Sequence, residues 1–439
     1  MAGSKAGNYK AWLDTIAKQL YFNSYTISLS RLGHAGCRPS GVGAAASPAT
    51  VEYTFDATNQ FPHPFLTTHP HFRTAVDPQL RTLPCVLVLH DTWPGGFDAA
   101  RWYGGGLALA AMDAAVNAAT EHHHRPLSQY QPGQGLPPSH TEVHGNTADD
   151  VARLAVLASP LKAMFRPLPC LPPMAILGLS RPGFLRSSPL CHHTFAQEAT
   201  VVRQLLDLLQ IPHLSIFAVG TGAQVALHLM DQLPGRVHRS VLVNPLLQRP
   251  SQLKLAVMRL GTSIYLRTQL SSWVSYYKYG HNHKPLAVFP PPTYPLFGVG
   301  LSPLEAAVID AAWYHKEHQE RLQSLLQSEG VCYSFGHWRY PGIRSDLIKM
   351  QNLPASANWP QVQSPLLCLT THDPPLMSPS CPSIEALSQL FPCAPIEHQT
   401  IATTTFPHFP LQDVSKAAID FLLRDPDCMA SLRPHSDPT

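Results

Sequence analysis

The stretch from Ile211 to Met230, IPHLSIFAVGTGAQVALHLM, carries the most informative spacing in the chain. The apolar run Leu214 to Val219 predicts a buried strand, and Val225, Ala226, Leu227, Leu229 and Met230 predict a helix. Between them Ala218, Gly220, Gly222 and Ala223 are small enough for a sharp strand-to-helix turn. That layout is a nucleophile elbow, written G-x-S-x-G, whose central side chain projects at the apex to attack a substrate. Here the five places read Ala218, Val219, Gly220, Thr221 and Gly222, so the attacking position holds a residue with no side chain. An elbow apex needs positive φ, which glycine adopts at little cost. Gly220 therefore preserves the turn and removes the chemistry. Thr221, one residue further on, is the nearest hydroxyl.

Other candidate chemistry is weaker. His122-His123-His124 and His192-His193 lack the i, i+4 spacing and the carboxylate framework of zinc sites, so no metal is expected. Gly104-Gly105-Gly106 is not followed by Lys-Ser/Thr, so it is no phosphate loop, and no cofactor is expected. Arg181, in the turn Ser180-Arg181-Pro182-Gly183-Phe184, reads as turn geometry, with anion binding as the alternative. Trp273, Tyr276, Tyr277 and Trp313 read as core, interface or pocket lining.

The elements that must position these residues form a rhythm. Residues 51–56 alternate apolar and polar, which predicts an edge strand. Apolar runs at 83–89, 172–179, 214–219 and 366–370 predict strands buried on both faces; Val237 to Val243 is expected to be a further buried strand, and another is expected near 396–403. Helices are expected over 98–118, 151–165, 195–209, 382–391 and 411–424, and after the elbow. From 246 to 360 the strand rhythm stops, and helical stretches at 252–278 and 303–329 flank a proline-rich run. Strands alternating with helices predict a mostly parallel sheet covered on both faces. Ligand sites in such sheets lie at the carboxyl ends of the strands, where the turns 90–96, 180–184, 218–223, 371–375 and 405–410 all fall.

Composition narrows the class. The 439 residues suffice for a large core, and charged residues make up 13%, about half the usual share. The net charge of +3 is too small to indicate nucleic acid. Nine cysteines with no C-x-x-C pair read as buried, reduced thiols of an intracellular compartment. No run of about 18 apolar residues predicts a transmembrane helix. The first 50 residues hold Lys5, Lys10, Lys18, Arg31 and Arg38 against Asp14 alone, with Trp12, Ile16 and Leu20 at helical spacing. Such a segment is similar to a mitochondrial presequence, which favours mitochondrial over cytoplasmic placement; a packed helix or a tail is the alternative.

In chain order, the pieces LVLHDTWPGG (87–96), LGLSRPGFLRSSPL (177–190), AVGTGAQVALHL (218–229), RVHRSVLVNP (236–245), LLCLTTHDPPLMSP (366–379) and FPHFPLQDVSKAAIDFLL (406–423) resemble the α/β-hydrolase fold family. The resemblance covers roughly 83–245 and 361–424. It implies that Asp373 stands at the acid position, His408 at the histidine position and Gly220 at the nucleophile position. It further implies an oxyanion pocket lined by backbone N–H groups of Thr221 and of Asp91 or Thr92. His408 follows Pro407 where the family usually has glycine.

The expected organisation is a basic extension over 1–50, an α/β-hydrolase core over 51–245 with a loop-rich insertion near 119–150, a helical cap over 246–360, core again over 361–424, and a tail over 425–439. The expected function is that of a pseudoenzyme, a structural or binding component with protein partners and without hydrolase activity. Two alternatives stand beside it. One is a hydrolase of ester-like substrates using Thr221 or a water activated by His408. The other is a small-molecule receptor using the pocket under the cap.

Overall fold

Continuous apolar runs become the inner strands of an eight-stranded sheet. The computed structural model describes residues 25–29, 49–57, 84–93, 95–123, 174–189, 194–267, 336–354, 358–371, 384–401 and 411–424. Its strands are β1 (Tyr25–Leu29), β2 (Ala49–Ala57), β3 (Cys85–Leu89), β4 (Ala175–Ser180), β5 (Leu214–Val219), β6 (Val237–Val243), β7 (Leu366–Thr371) and β8 (Ile396–Ile401). Its helices are α1 (Phe97–His123), α2 (Phe195–Leu208), α3 (Gly222–Gln232), α4 (Gln252–Arg267), α5 (Gly336–Gln351), α6 (Ile384–Leu390) and α7 (Leu411–Leu422). The strand order is β1-β2-β4-β3-β5-β6-β7-β8. Only β2 runs against the others: it pairs antiparallel with β1 and β4, and every remaining pairing is parallel.

Alternation within the strands assigns the two faces. Leu87, Leu89, Leu177, Leu179, Ile216 and Ala218 pack with Val201, Leu205, Val225 and Leu229 of α2 and α3 in one apolar cluster. The opposite side of β5 presents Phe217 to Tyr103 of α1, ring centroids 6.2 Å apart. A Cβ on Gly106 of α1 would meet Leu411 and Ser415 of α7, so those helices touch closely there. The protein is thus an α/β fold with a mostly parallel sheet and helices on both faces, as the strand rhythm predicts.

The order places β3 between β4 and β5. Successive crossovers leave β3 on opposite sides, which makes the ends of β3 and β5 the switch point of the sheet, where open α/β folds form their crevices.

One expectation is corrected. β2 is no edge strand: Val51 to Phe55 are all buried, and β1 lies outside it. The polar positions that suggested a solvent-facing side include Glu52, whose carboxylate is paired internally with Arg186 at 2.5 Å and accepts the Ser180 hydroxyl at 3.0 Å.

The chain divides into two compact units. The first comprises 1–110, 173–286 and 324–439 and contains every described strand; of the second (111–172 and 287–323) only 111–123 is described. The expected helices over 151–165 and 303–329, and 268–278 of the expected helix over 252–278, lie outside the described residues. So do most of the N-terminal 50, residues 124–150 of the loop-rich insertion expected near 119–150, whose first residues belong to α1, and the centre of the expected cap. No described helix is long and apolar enough to cross a membrane.

Candidate functional site

Gly220 follows the last residue of β5 at φ +55°, and α3 begins two residues later. Its N–H donates to Val243 at 2.9 Å and its carbonyl accepts from Leu246 at 3.1 Å, which fixes the apex against the end of β6. At Gly222 a Cβ would lie 2.7 Å from the carbonyl oxygen of Leu89 and 2.8 Å from that of His90. A side chain there would push the elbow off the end of β3. The two glycines answer different demands, one on φ and one on space.

The space that a side chain on Gly220 needs is already filled. A Cβ at that position would overlap the carboxylate of Asp91, in the turn after β3. Asp91 is held firmly: its Oδ1 accepts from the N–H of Thr92 at 2.7 Å, the N–H of Thr221 at 2.8 Å and the Thr221 hydroxyl at 3.1 Å. The backbone donors expected to line an oxyanion pocket thus converge on an internal carboxylate. Burial raises the Asp91 pKa, opposed by the hydrogen bonds from Thr221 and Thr92 and by the nearby Arg181.

Arg181, directly after β4, is fully buried and spends its whole guanidinium locally. Nε donates to Glu198 at 3.1 Å, Nη2 to Asp346 at 2.6 Å, and Nη1 to the Thr221 hydroxyl at 2.9 Å and the His90 carbonyl at 3.3 Å. Lys349 closes the cluster, pairing with Asp346 at 2.6 Å and with the other oxygen of Glu198. Two cations face two carboxylates across α2, α5 and the turn after β4. Burial works against the Arg181 charge, but Asp346 and Glu198 outweigh it and hold its pKa above the ordinary value. The Thr92 hydroxyl donates to Asp346 at 2.8 Å and lies 2.8 Å from the Thr221 hydroxyl, so Asp91, Thr92 and Thr221 join the same network.

His90 is neutral in this setting. Its Nε2 accepts the Arg181 N–H at 3.1 Å, which leaves Nδ1 to donate to the Asp91 carbonyl at 2.6 Å. Burial first, and Arg181 second, hold its pKa well below the usual imidazole value.

Helix α5 covers the site. Besides Asp346 and Lys349 it supplies Arg339, which grips Asp98 at the start of α1 in a forked pair of 2.8 and 2.5 Å and also bonds the Gly95 carbonyl. The Phe184 ring sits where a Cβ on Gly95 or on Gly342 would go, so the two glycines admit it. Beneath the helix, Asp91, Thr92, Trp93, Gly220, Leu246 and Met350 are among the residues around a cavity of about 10 Å³, roughly the room of one water.

Of the residues singled out from sequence, Gly220, Thr221, Asp91 and Thr92 stand together at the switch point. Asp373 and His408 lie outside the described residues, although β7 is anchored just before Asp373, where the Thr371 N–H donates to the Asn244 side chain at 2.9 Å. Sequence reasoning missed Glu198, Asp346 and Lys349. Glu198 is polar within an otherwise apolar inner face of α2 and was the available signal. Helix α5 hid its acid and base behind Pro341 and Gly342, which argue against a helix. Among the described residues no group of three His, Cys, Asp or Glu side chains is placed to hold a metal ion. The Cys85 thiol is pushed up to about 12 by burial and is inert.

Around the elbow the described residues offer a balanced, hydrogen-bonded charge cluster and no projecting attacking group. The Thr221 hydroxyl accepts from Arg181 and gives its one proton to Asp91.

No family model matches the chain, and no curated protein does. Solved structures with which it aligns include a carboxylesterase of Nitrososphaera gargenis, at 11% identity and TM-score 0.41 over 90% of this chain and 97% of that one. An α/β hydrolase fold protein from Nakamurella multipartita aligns at 15% identity and TM-score 0.39, over 85% and 95%. A thermophilic esterase from Thermogutta terrifontis aligns at 12% identity and TM-score 0.39, over 93% and 100%.

Proposed function

We propose that this chain is an α/β-hydrolase-fold protein without serine-hydrolase chemistry, kept as a structural or binding component that works through protein partners. One observation carries the reading: the Asp91 carboxylate occupies the place of the apex side chain and takes the Thr221 N–H. Two supports accompany it. The Arg181 cluster uses the polar groups around the elbow for internal pairing, and the cavity beneath α5 has room for about one water.

The test is labelling of the intact protein by a fluorophosphonate serine-hydrolase probe, with hydrolysis of short p-nitrophenyl esters measured in parallel. The expected outcome is no labelling, and an ester background that is the same in wild type, Thr221→Ala and His408→Ala. Labelling of the wild type, or turnover that disappears in either variant, would overturn the reading. The basic, acid-poor N-terminus supports a mitochondrial site of action. A reporter carrying residues 1–50 is expected to enter mitochondria, and its retention in the cytosol would remove that part of the proposal.

A further inference from the structure

Helix α4 is apolar on two sides. Leu255 and Met258 are buried and pack with Ile343, Leu347 and Met350 of α5. The other side carries Leu253, Val257, Leu260 and Ile264, exposed by 76, 63, 66 and 57%. Their spacing (i, i+4, i+7, i+11) makes one stripe along the helix. Trp338 and Ile348 are exposed on α5, so among the described residues six of the eight large exposed apolar side chains lie on this helix pair. A helix apolar on both sides is ordinarily covered on both, which asks what covers the outer stripe.

Charge selects the occupant. Neither helix shows a carboxylate on its surface: α4 has no acidic residue, and the one acid of α5, Asp346, is buried. Arg259 and Arg344 are exposed and Lys254 half-buried. The wider sequence has the same bias, with eight Lys or Arg and no Asp or Glu from 232 to 304. The stripe is aliphatic, whereas the energetic centres of protein interfaces favour Trp, Tyr and Arg over Leu and Val. Aliphatic side chains on one line, in a helix pair whose exposed charges are cationic, suit the boundary between lipid headgroups and acyl chains.

We infer that the outer face of α4, with Leu253, Val257, Leu260 and Ile264 as its apolar stripe and the exposed Arg259 and Arg344 as the cations of the same helix pair, rests on an anionic lipid surface. The inference is independent of whether the elbow is catalytic.

Flotation of the full-length protein with phosphatidylcholine vesicles, plain or containing about one part in three of phosphatidylserine, tests it. The wild type is expected to float with the anionic vesicles, less so as salt rises, and to bind plain vesicles more weakly. Arg259→Gln with Arg344→Gln is expected to lower partitioning onto anionic vesicles by about thirtyfold. Leu253→Gln with Leu260→Gln is expected to lower it by roughly tenfold or more. These leucines are already in water, so the thermal midpoint stays at the wild-type value and separates lost binding from lost folding. Failure of the wild type to float with anionic vesicles, or full binding by the leucine variant, would overturn the inference. So would a dimer in sedimentation equilibrium that the leucine variant abolishes, since that assigns the stripe to a second copy of the chain.

Discussion

The carboxylate of Asp91 occupies the space in front of the Gly220 α-carbon that a side chain on the apex would need. Residues on two different turns, 129 positions apart, therefore determine one another. A large group after β3 requires the smallest residue after β5.

Gly220→Ser is expected to leave the protein unreactive toward fluorophosphonates and to destabilise it by about 1–3 kcal/mol, through overlap with Asp91 and strain at positive φ. Combined with Asp91→Gly, the serine meets no carboxylate. The double variant is expected to be more stable than the sum of the two single changes implies, by about 1 kcal/mol or more. Urea midpoints of the four proteins check this, and strict additivity would contradict the packing described.

Arg181→Met is expected to cost about 3–5 kcal/mol, because Glu198 and Asp346 remain buried while only Lys349 is left to compensate them. Arg181→Lys rescues little, since an ammonium group cannot reach the four acceptors that the guanidinium serves. Adding Asp346→Asn to Arg181→Met recovers part of the loss, readable in chemical denaturation.

Asp91 and His90 set opposite pH dependences. The folded-state pKa of Asp91 lies above 3.8, so the unfolded chain releases this proton first. Its contribution is complete below about pH 3.8 and is lost as pH rises through the folded-state value. Asp91→Asn keeps an oxygen acceptor for Thr221 and flattens that fall. His90, held well below 6.5, acts the other way: its contribution is complete above about pH 6.5 and is lost as pH falls. Stability curves of Asp91→Asn against wild type from pH 4 upward check the first sign, and a steeper fall in the variant would refute it.

Two helical glycines are expected to respond to alanine in opposite senses. At Gly342 a Cβ overlaps the Phe184 ring, so Gly342→Ala costs about 1–3 kcal/mol despite the better helix former. At Gly261 nothing lies within 4 Å, and Gly261→Ala stabilises by about 0.5–1 kcal/mol. Melting temperatures that move in the same direction would refute the contrast.

The sheet was legible in the sequence because strands buried on both faces leave an apolar signature, which β3, β5 and β7 carry over most of their length and β6 only over residues 241–243, after the exposed His238. β2 misled because Glu52 looks solvent-facing until its partner Arg186, far along the chain, is brought beside it. The elbow was legible because glycine spacing is a local demand of backbone geometry. The charge cluster was not, since its members come from 181, 198, 346 and 349 and only folding makes them neighbours. Helix α5 escaped for a related reason. Its second glycine makes room for the Phe184 ring rather than serving helix propensity, and tertiary contact overrode the local signal.

The reach of those ion pairs also sets a timetable. Glu198 precedes Lys349 by 151 residues, and Arg181 precedes Asp346 by 165. At about 5–20 residues per second on the ribosome, about 8 to 33 seconds separate the emergence of the two halves of the cluster. Throughout that interval β3, β4 and β5 can already assemble, while Arg181 and Glu198 still lack the partners that make their burial tolerable. The nascent chain must keep this end of the sheet open to water until α5 arrives, so the dehydration of this quartet of charges waits on a helix made long after the strands it covers.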